Sequence, residues 1–230
     1  MTDFRTFWNS LDWSVLTDLL LSVIPALICI TLHELAHGYT AYRLGDDTAK
    51  NAGRLTLNPI KHIDWLGLVM MVTFHFGWAK PVPVDMRRFR RLSPKAGMAV
   101  TAAAGPLCNL LITAVFLFAY GLLYAPLLRA GTTLAYSVLE TLVVTAQLSL
   151  YLALFNILPI PPLDGNKVLF SFLSGEAYYR LMRFERYGMI VLVAVILLSS
   201  RLAVNPLSAA TGWVFDKLFF IARWGNAITI

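Results

Sequence analysis

Along most of this chain the apolar residues fill whole helical turns instead of marking one face. Residues 15–36, 96–124, 134–158 and 187–200 are apolar all round, the pattern of helices that meet an apolar medium on every side. Four transmembrane helices are therefore expected. A shorter apolar run, 66–79, leads into Phe76-Gly77-Trp78-Ala79-Lys80-Pro81-Val82-Pro83-Val84. There apolar residues alternate with prolines that cannot donate a ladder bond, so the stretch reads as a short, extended edge strand or hairpin. The tail over 212–224 mixes Trp213, Phe215, Phe219 and Phe220 with Asp216, Lys217 and Arg223, which suits an interfacial amphipathic helix. The pattern defines an all-α polytopic membrane protein with about five to six hydrophobic segments. No repeat or linker interrupts it, so 1–230 reads as a single membrane-embedded domain, with a core over 14–170 and C-terminal helices over 171–230.

Composition supports the membrane reading: 58% of the residues are hydrophobic and 14% charged, too few charges to coat a soluble surface of this size. The net charge of +6 does not point to nucleic acid, because the basic residues lie in blocks beside apolar spans. Ten Lys or Arg residues fall between Arg43 and Lys95, and Lys167, Arg180, Arg183 and Arg186 follow the third span. By the positive-inside rule both blocks face the cytoplasm and the N-terminus lies outside. A full crossing by 66–79 would put Arg87, Arg88, Arg90 and Arg91 on the wrong side, so that run is expected to re-enter rather than span. Non-helical backbone at membrane depth needs protein or a water-filled cavity to satisfy it, which hints at a polar site nearby. The first dozen residues lack the form of a cleavable signal peptide. Cys29 and Cys108 both lie in apolar spans and read as small packing residues without a disulfide framework.

Near the inner end of the first span stands His33-Glu34-Leu35-Ala36-His37. Residues four apart on a helix lie one above the other, so two imidazoles can reach one tetrahedral metal while Glu34 stands beside it to deprotonate bound water. A charge at the centre of a span costs about 2.5–3.5 kcal/mol, so ionisable groups kept there point to function. A catalytic zinc needs a third protein ligand and an open position. The best candidate is Asp164, in Asn156-Ile157-Leu158-Pro159-Ile160-Pro161-Pro162-Leu163-Asp164-Gly165. There the prolines unwind the third span and Gly165 permits a tight turn. Asp164 and His37 also fall toward the same, cytoplasmic, ends of their spans. Other residues compete. His75 in the re-entrant run can approach the site; Cys29 lies roughly 12 Å from His37 along the helix axis, too far to share an ion. His62 sits in a polar turn where it would pair with Asp64 or cap a helix, and Glu140 is a membrane thickness away. The small run Ala102, Ala103, Ala104 and Gly105 allows close helix approach, and Asn109, polar in an apolar span, needs a partner.

Taken in order, His33-Glu34-x-x-His37, Gly105-Pro106-x-x-Asn109 and Asn156-x-x-Pro159-x-Pro161-x-Leu163-Asp164-Gly165 resemble the site-2 protease family of intramembrane zinc metalloproteases. The resemblance covers 31–167. It implies one Zn²⁺ per chain held by His33, His37 and Asp164, Glu34 as general base, and Asn156, with Asn109, on the substrate side. The 76–84 stretch, with Gly77 and Trp78, resembles the family's re-entrant β-loop, which presents a substrate strand to the metal. The implied partners are the lipid bilayer and a transmembrane-helix substrate, in a bacterial-type plasma membrane with the active site toward the cytoplasm. No stretch between Gly105 and Leu163 is long enough for a PDZ domain and no CBS-type tail follows, so a minimal member is expected. Two other readings stand beside it: a membrane zinc transporter, and an inactive adaptor that binds transmembrane helices. The isolated Glu34 and the lack of a second metal-binding span count against the first, the intact ligand set against the second. The sequence does not set the oligomeric state.

Overall fold

The computed structural model describes residues 13–67, 69, 78–199 and 205–229. Helix α1 runs over Trp13–Leu44 and gives way to a loop that returns toward the same end of the helix. That loop holds a single helical turn at Thr48–Asn51 and a 3₁₀ turn at Pro59–His62. In the latter, Asn58 caps by accepting from the Ile60 N–H and Pro59 fills the first position, where its missing N–H costs nothing. Helix α2, Pro94–Ala130, starts with the same device, Ser93 as cap and Pro94 at the first position. Helix α3, Thr133–Ile157, follows two residues later, capped by Thr132, so α2 and α3 form an antiparallel pair. The chain continues through α4 (Asp164–Phe170), α5 (Gly175–Phe184), α6 (Gly188–Ser199), α7 (Pro206–Leu218) and α8 (Phe220–Ala227).

Among the described residues, all four apolar segments read from the sequence are helical over nearly their whole length. Two of the described helices, α2 and α3, are long and apolar enough to cross a membrane. Leu107, Leu111, Val115 and Phe118 make an exposed stripe at helical spacing along α2. A soluble fold would bury such a stripe; a lipid-facing helix presents it. The opposite side of α2 joins the core, where Leu117, Ala146, Leu150, Phe215 and Ala222 pack from α2, α3, α7 and α8. The amphipathic tail expected over 212–224 is thus two helices broken at Phe219, with Phe215 and Ala222 turned into the bundle and Trp213 and Trp224 turned out.

The expected strand or hairpin is reduced, among the described residues, to one antiparallel bridge between Ile63 and Ala79, with the Lys80 N–H donating to the His62 carbonyl at 3.0 Å. Pro81 and Pro83 cannot donate, so the ladder cannot lengthen. Most of the 66–79 run, including His75 and Gly77, lies outside the described residues.

Candidate metal centre

Helix geometry stacks His33 and His37, and the structure sets their Nε2 atoms 3.0 Å apart with the ring planes at 87°. Asp164, first residue of α4, brings Oδ2 to 3.2 Å from His33 Nε2 and 3.1 Å from His37 Nε2. All three side chains are buried. The His37 Nδ1–H donates to the Thr101 carbonyl of α2 at 2.7 Å. With its proton committed there, His37 turns a lone pair on Nε2 toward the other two donors. Burial alone would push the Asp164 carboxyl up, but wherever the facing imidazole nitrogens carry a proton, His33 and His37 outweigh burial and hold the group well below the ordinary carboxylate range.

Two imidazoles and a carboxylate converging in this way suit a small cation, and the dimensions agree with zinc. Ligands about 2.0–2.2 Å from a tetrahedral Zn²⁺ lie roughly 3.3 Å from one another, against 3.0–3.2 Å here. His33, His37 and Asp164 can hold such an ion.

Two glycines make the convergence possible. A Cβ on Gly105 would stand 2.6 Å from His33 Cε1 and closer still to His37 Nε2, so α2 must be bare where it meets the imidazoles. Gly165 acts the same way: it lies within α4, and a Cβ there would strike the Ile157 carbonyl at the end of α3. It permits close approach of two helices, where the sequence suggested a tight turn. Gly105→Ala is therefore expected to splay the rings and lower zinc affinity at least tenfold, about the loss seen when a ligand's orientation is disturbed, as measured by chelator competition. A Gly105→Ala protein that keeps wild-type affinity would show that the rings have room to move.

Glu34 takes a different direction from its neighbours. Its Oε2 accepts the Val82 N–H at 2.8 Å, which ties the first span to the 78–84 stretch. Asn109 is wholly buried one turn beyond Gly105, with neither amide atom partnered among the described residues, while its carbonyl accepts the Ser149 hydroxyl at 2.8 Å. Asn156 lies in the last turn of α3 and spends its amide on the Leu152 carbonyl. Trp78 is half-buried beside the Ile63–Ala79 bridge. His62 is fully buried and donates through Nε2 to the Thr56 carbonyl. The expected pairing with Asp64 does not form, because Asp64 caps the Leu66 and Gly67 N–H groups instead. Cys29 faces the Thr145 carbonyl as a packing group. The partners of His37 and Glu34 were beyond the motifs: backbone atoms of any residue type serve, so no side-chain pattern marks them.

A helical membrane protein with an H-E-x-x-H pair, a third carboxylate and a zinc-sized gap has the features of a metalloprotease. Comparison with known proteins gives the same class. The model of peptidase family M50 matches residues 122–199. The chain is 37% identical over 191 residues to the candidate zinc metalloprotease YwhC of Bacillus subtilis, covering 83% of each. It is 29% identical over 202 residues to Rip2 of Mycobacterium tuberculosis, with 85% of this chain and 70% of that one aligned. No solved structure matches it. The chain belongs to peptidase family M50, the site-2 protease family, and is a zinc metalloprotease.

Proposed function

We propose that this protease cuts transmembrane segments of other membrane proteins within the bilayer, with His33, His37 and Asp164 as its zinc ligands and Glu34 as its base. The convergence of those three donors beside a carboxylate anchored on an extended segment carries the reading. Zinc held there supplies Lewis acidity, lowering the pKa of water toward about 7 and polarising a carbonyl. Glu34 Oε2 is held by the Val82 N–H, which leaves Oε1 to accept a proton from the attacking water and deliver it to the leaving amine.

A peptide bond in a membrane helix is shielded twice, by scarce water and by its own backbone hydrogen bonds. The 77–84 stretch, with Gly77 and Trp78, would receive an unwound substrate strand, and Asn156 and Asn109 would hold polar groups of that strand. Substrates with weak helices would then be preferred. The basic blocks orient the chain with its N-terminus outside and the site toward the cytoplasm of a bacterial-type plasma membrane. One membrane-embedded domain over 1–230 houses all of this, with four spans and a re-entrant segment.

Metal removal tests the reading. The chain, reconstituted in vesicles with a single-span substrate carrying a Gly- and Pro-rich stretch, should stop cutting after chelation and recover with one equivalent of zinc. Zinc entering the vesicles while the substrate stays whole would favour the transporter.

A further inference from the structure

The loop between α1 and α2 contains two buried charged residues outside the metal centre, Asp46 and Arg54. Among the described residues no carboxylate pairs with Arg54. Its Nη2 donates to the Lys80 carbonyl at 2.6 Å and its Nε has no partner. Asp46 accepts from the Thr48 N–H and hydroxyl through Oδ1, and from the Asp85 N–H through Oδ2 at 2.7 Å. Between the Lys80 and Asp85 ties lies the 2.8 Å bond from the Val82 N–H to Glu34 Oε2.

Three ionisable side chains thus fix the 80–85 backbone at three points, and Glu34 is the middle one. Pro81 and Pro83 lock their own φ angles and stiffen the segment further. The segment also lies hard against α1 beside His37. A Cβ on Gly38 would stand 3.0 Å from Val82 Cγ1 and 2.8 Å from Leu55 Cδ2. Burying a charge without an ionic partner is expensive. The chain bears that cost at Arg54 and Asp46, and each sends a bond to the segment that holds Glu34.

We propose that Asp46 and Arg54 are positioning residues for Glu34: they set the 80–85 backbone so that the Val82 N–H fixes one carboxylate oxygen and aims the other at the reacting atoms. The inference rests on the reading of Glu34 as the base. Among the described residues the hydrogen bonds of Asp46 and Arg54 go to Thr48, Asp85 and Lys80 and not to His33, His37 or Asp164, so their removal should spare zinc.

Asp46→Asn keeps one oxygen but cannot accept from both Thr48 and Asp85, and Arg54→Met keeps the stem while removing the donor. Each full-length variant would be reconstituted with the single-span substrate. The expected result is a fall in kcat of about 10- to 100-fold, the range for a small misplacement of a reacting group, with KM and zinc per chain unchanged. Hydrogen exchange supplies a second readout, because in 80–85 only Lys80, Val82, Val84 and Asp85 have amides to exchange. Their exchange should rise about tenfold while α2 keeps its rates. Wild-type kcat in both variants, a raised KM at constant kcat, or unchanged exchange would overturn the inference. If either variant fails to fold, the other decides. Glu34→Gln separates the two claims. Full turnover there defeats the base reading itself, whereas a dead Glu34→Gln beside fully active Asp46→Asn and Arg54→Met defeats only the positioning role.

Discussion

Asp164→Ala is expected to lose both its zinc and its proteolysis. Asp164 Oδ2 is within 3.2 Å of both imidazole nitrogens, and no other carboxylate or thiol among the described residues joins that group. Removing it leaves two neutral imidazoles, which lack both the third donor and the negative charge that a divalent ion needs in a buried site. The loss should exceed the roughly 10- to 100-fold that follows damage to an outer-shell partner. Metal emission on dialysed protein should then find little zinc, and cleavage of the single-span substrate should fall below detection. The fold should survive, because α4 is seated by the Gly165 contact with Ile157 and not by the carboxylate. Asp164→Asn, which keeps the shape and one oxygen but not the charge, should fall between. Near-stoichiometric zinc in Asp164→Ala would pass the third position to another residue, with His75 the rival that the sequence offers.

The sequence made the three converging side chains legible because their chemistry is carried at fixed spacing. His33 and His37 need only a helix to meet, and the Pro-rich bend before Asp164 ends α3 and starts a new helix whose first residue faces them. The helical segments were legible for a similar reason, since residues apolar on every side admit few other structures. What holds the site in place was not. Gly105 looked like a helix-packing residue and proved to be the bare wall against both rings. Gly165 looked like a turn residue and proved to be a contact. The partners of His37 and Glu34 are backbone atoms from segments 64 and 48 residues away, and such pairings arise from tertiary packing. The short extended stretch was legible through its prolines, which cannot donate to a ladder, whereas its bridging partner Ile63 carried no signal in the sequence. Asp46 and Arg54 belong to none of the motifs, and only their burial distinguishes them.

Glu34→Gln should slow turnover by orders of magnitude while leaving the metal centre intact, and that contrast is the sharpest test of the proposed chemistry. A glutamine at this position keeps an oxygen that can accept the Val82 N–H, so the 2.8 Å tie and the packing of the 80–85 segment should persist. What it lacks is an oxygen able to take up a proton at neutral pH. General acid–base catalysis is worth about 10²- to 10⁴-fold, so kcat should fall by that much, with zinc staying near one per chain and KM near its wild-type value. The intact substrate should then copurify with the Glu34→Gln protein, since binding is kept and cleavage lost. Glu34→Asp sharpens the point from the other side. It retains a base but falls one methylene short of Val82, so it should keep zinc, lose the tie and recover only part of the rate. If Glu34→Gln cut the substrate at the wild-type rate, the proton would have to move through another group. Coupled loss of zinc and rate in Glu34→Gln would instead give Glu34 a structural role at the centre, because a base that only shuttles protons has no part in holding the ion.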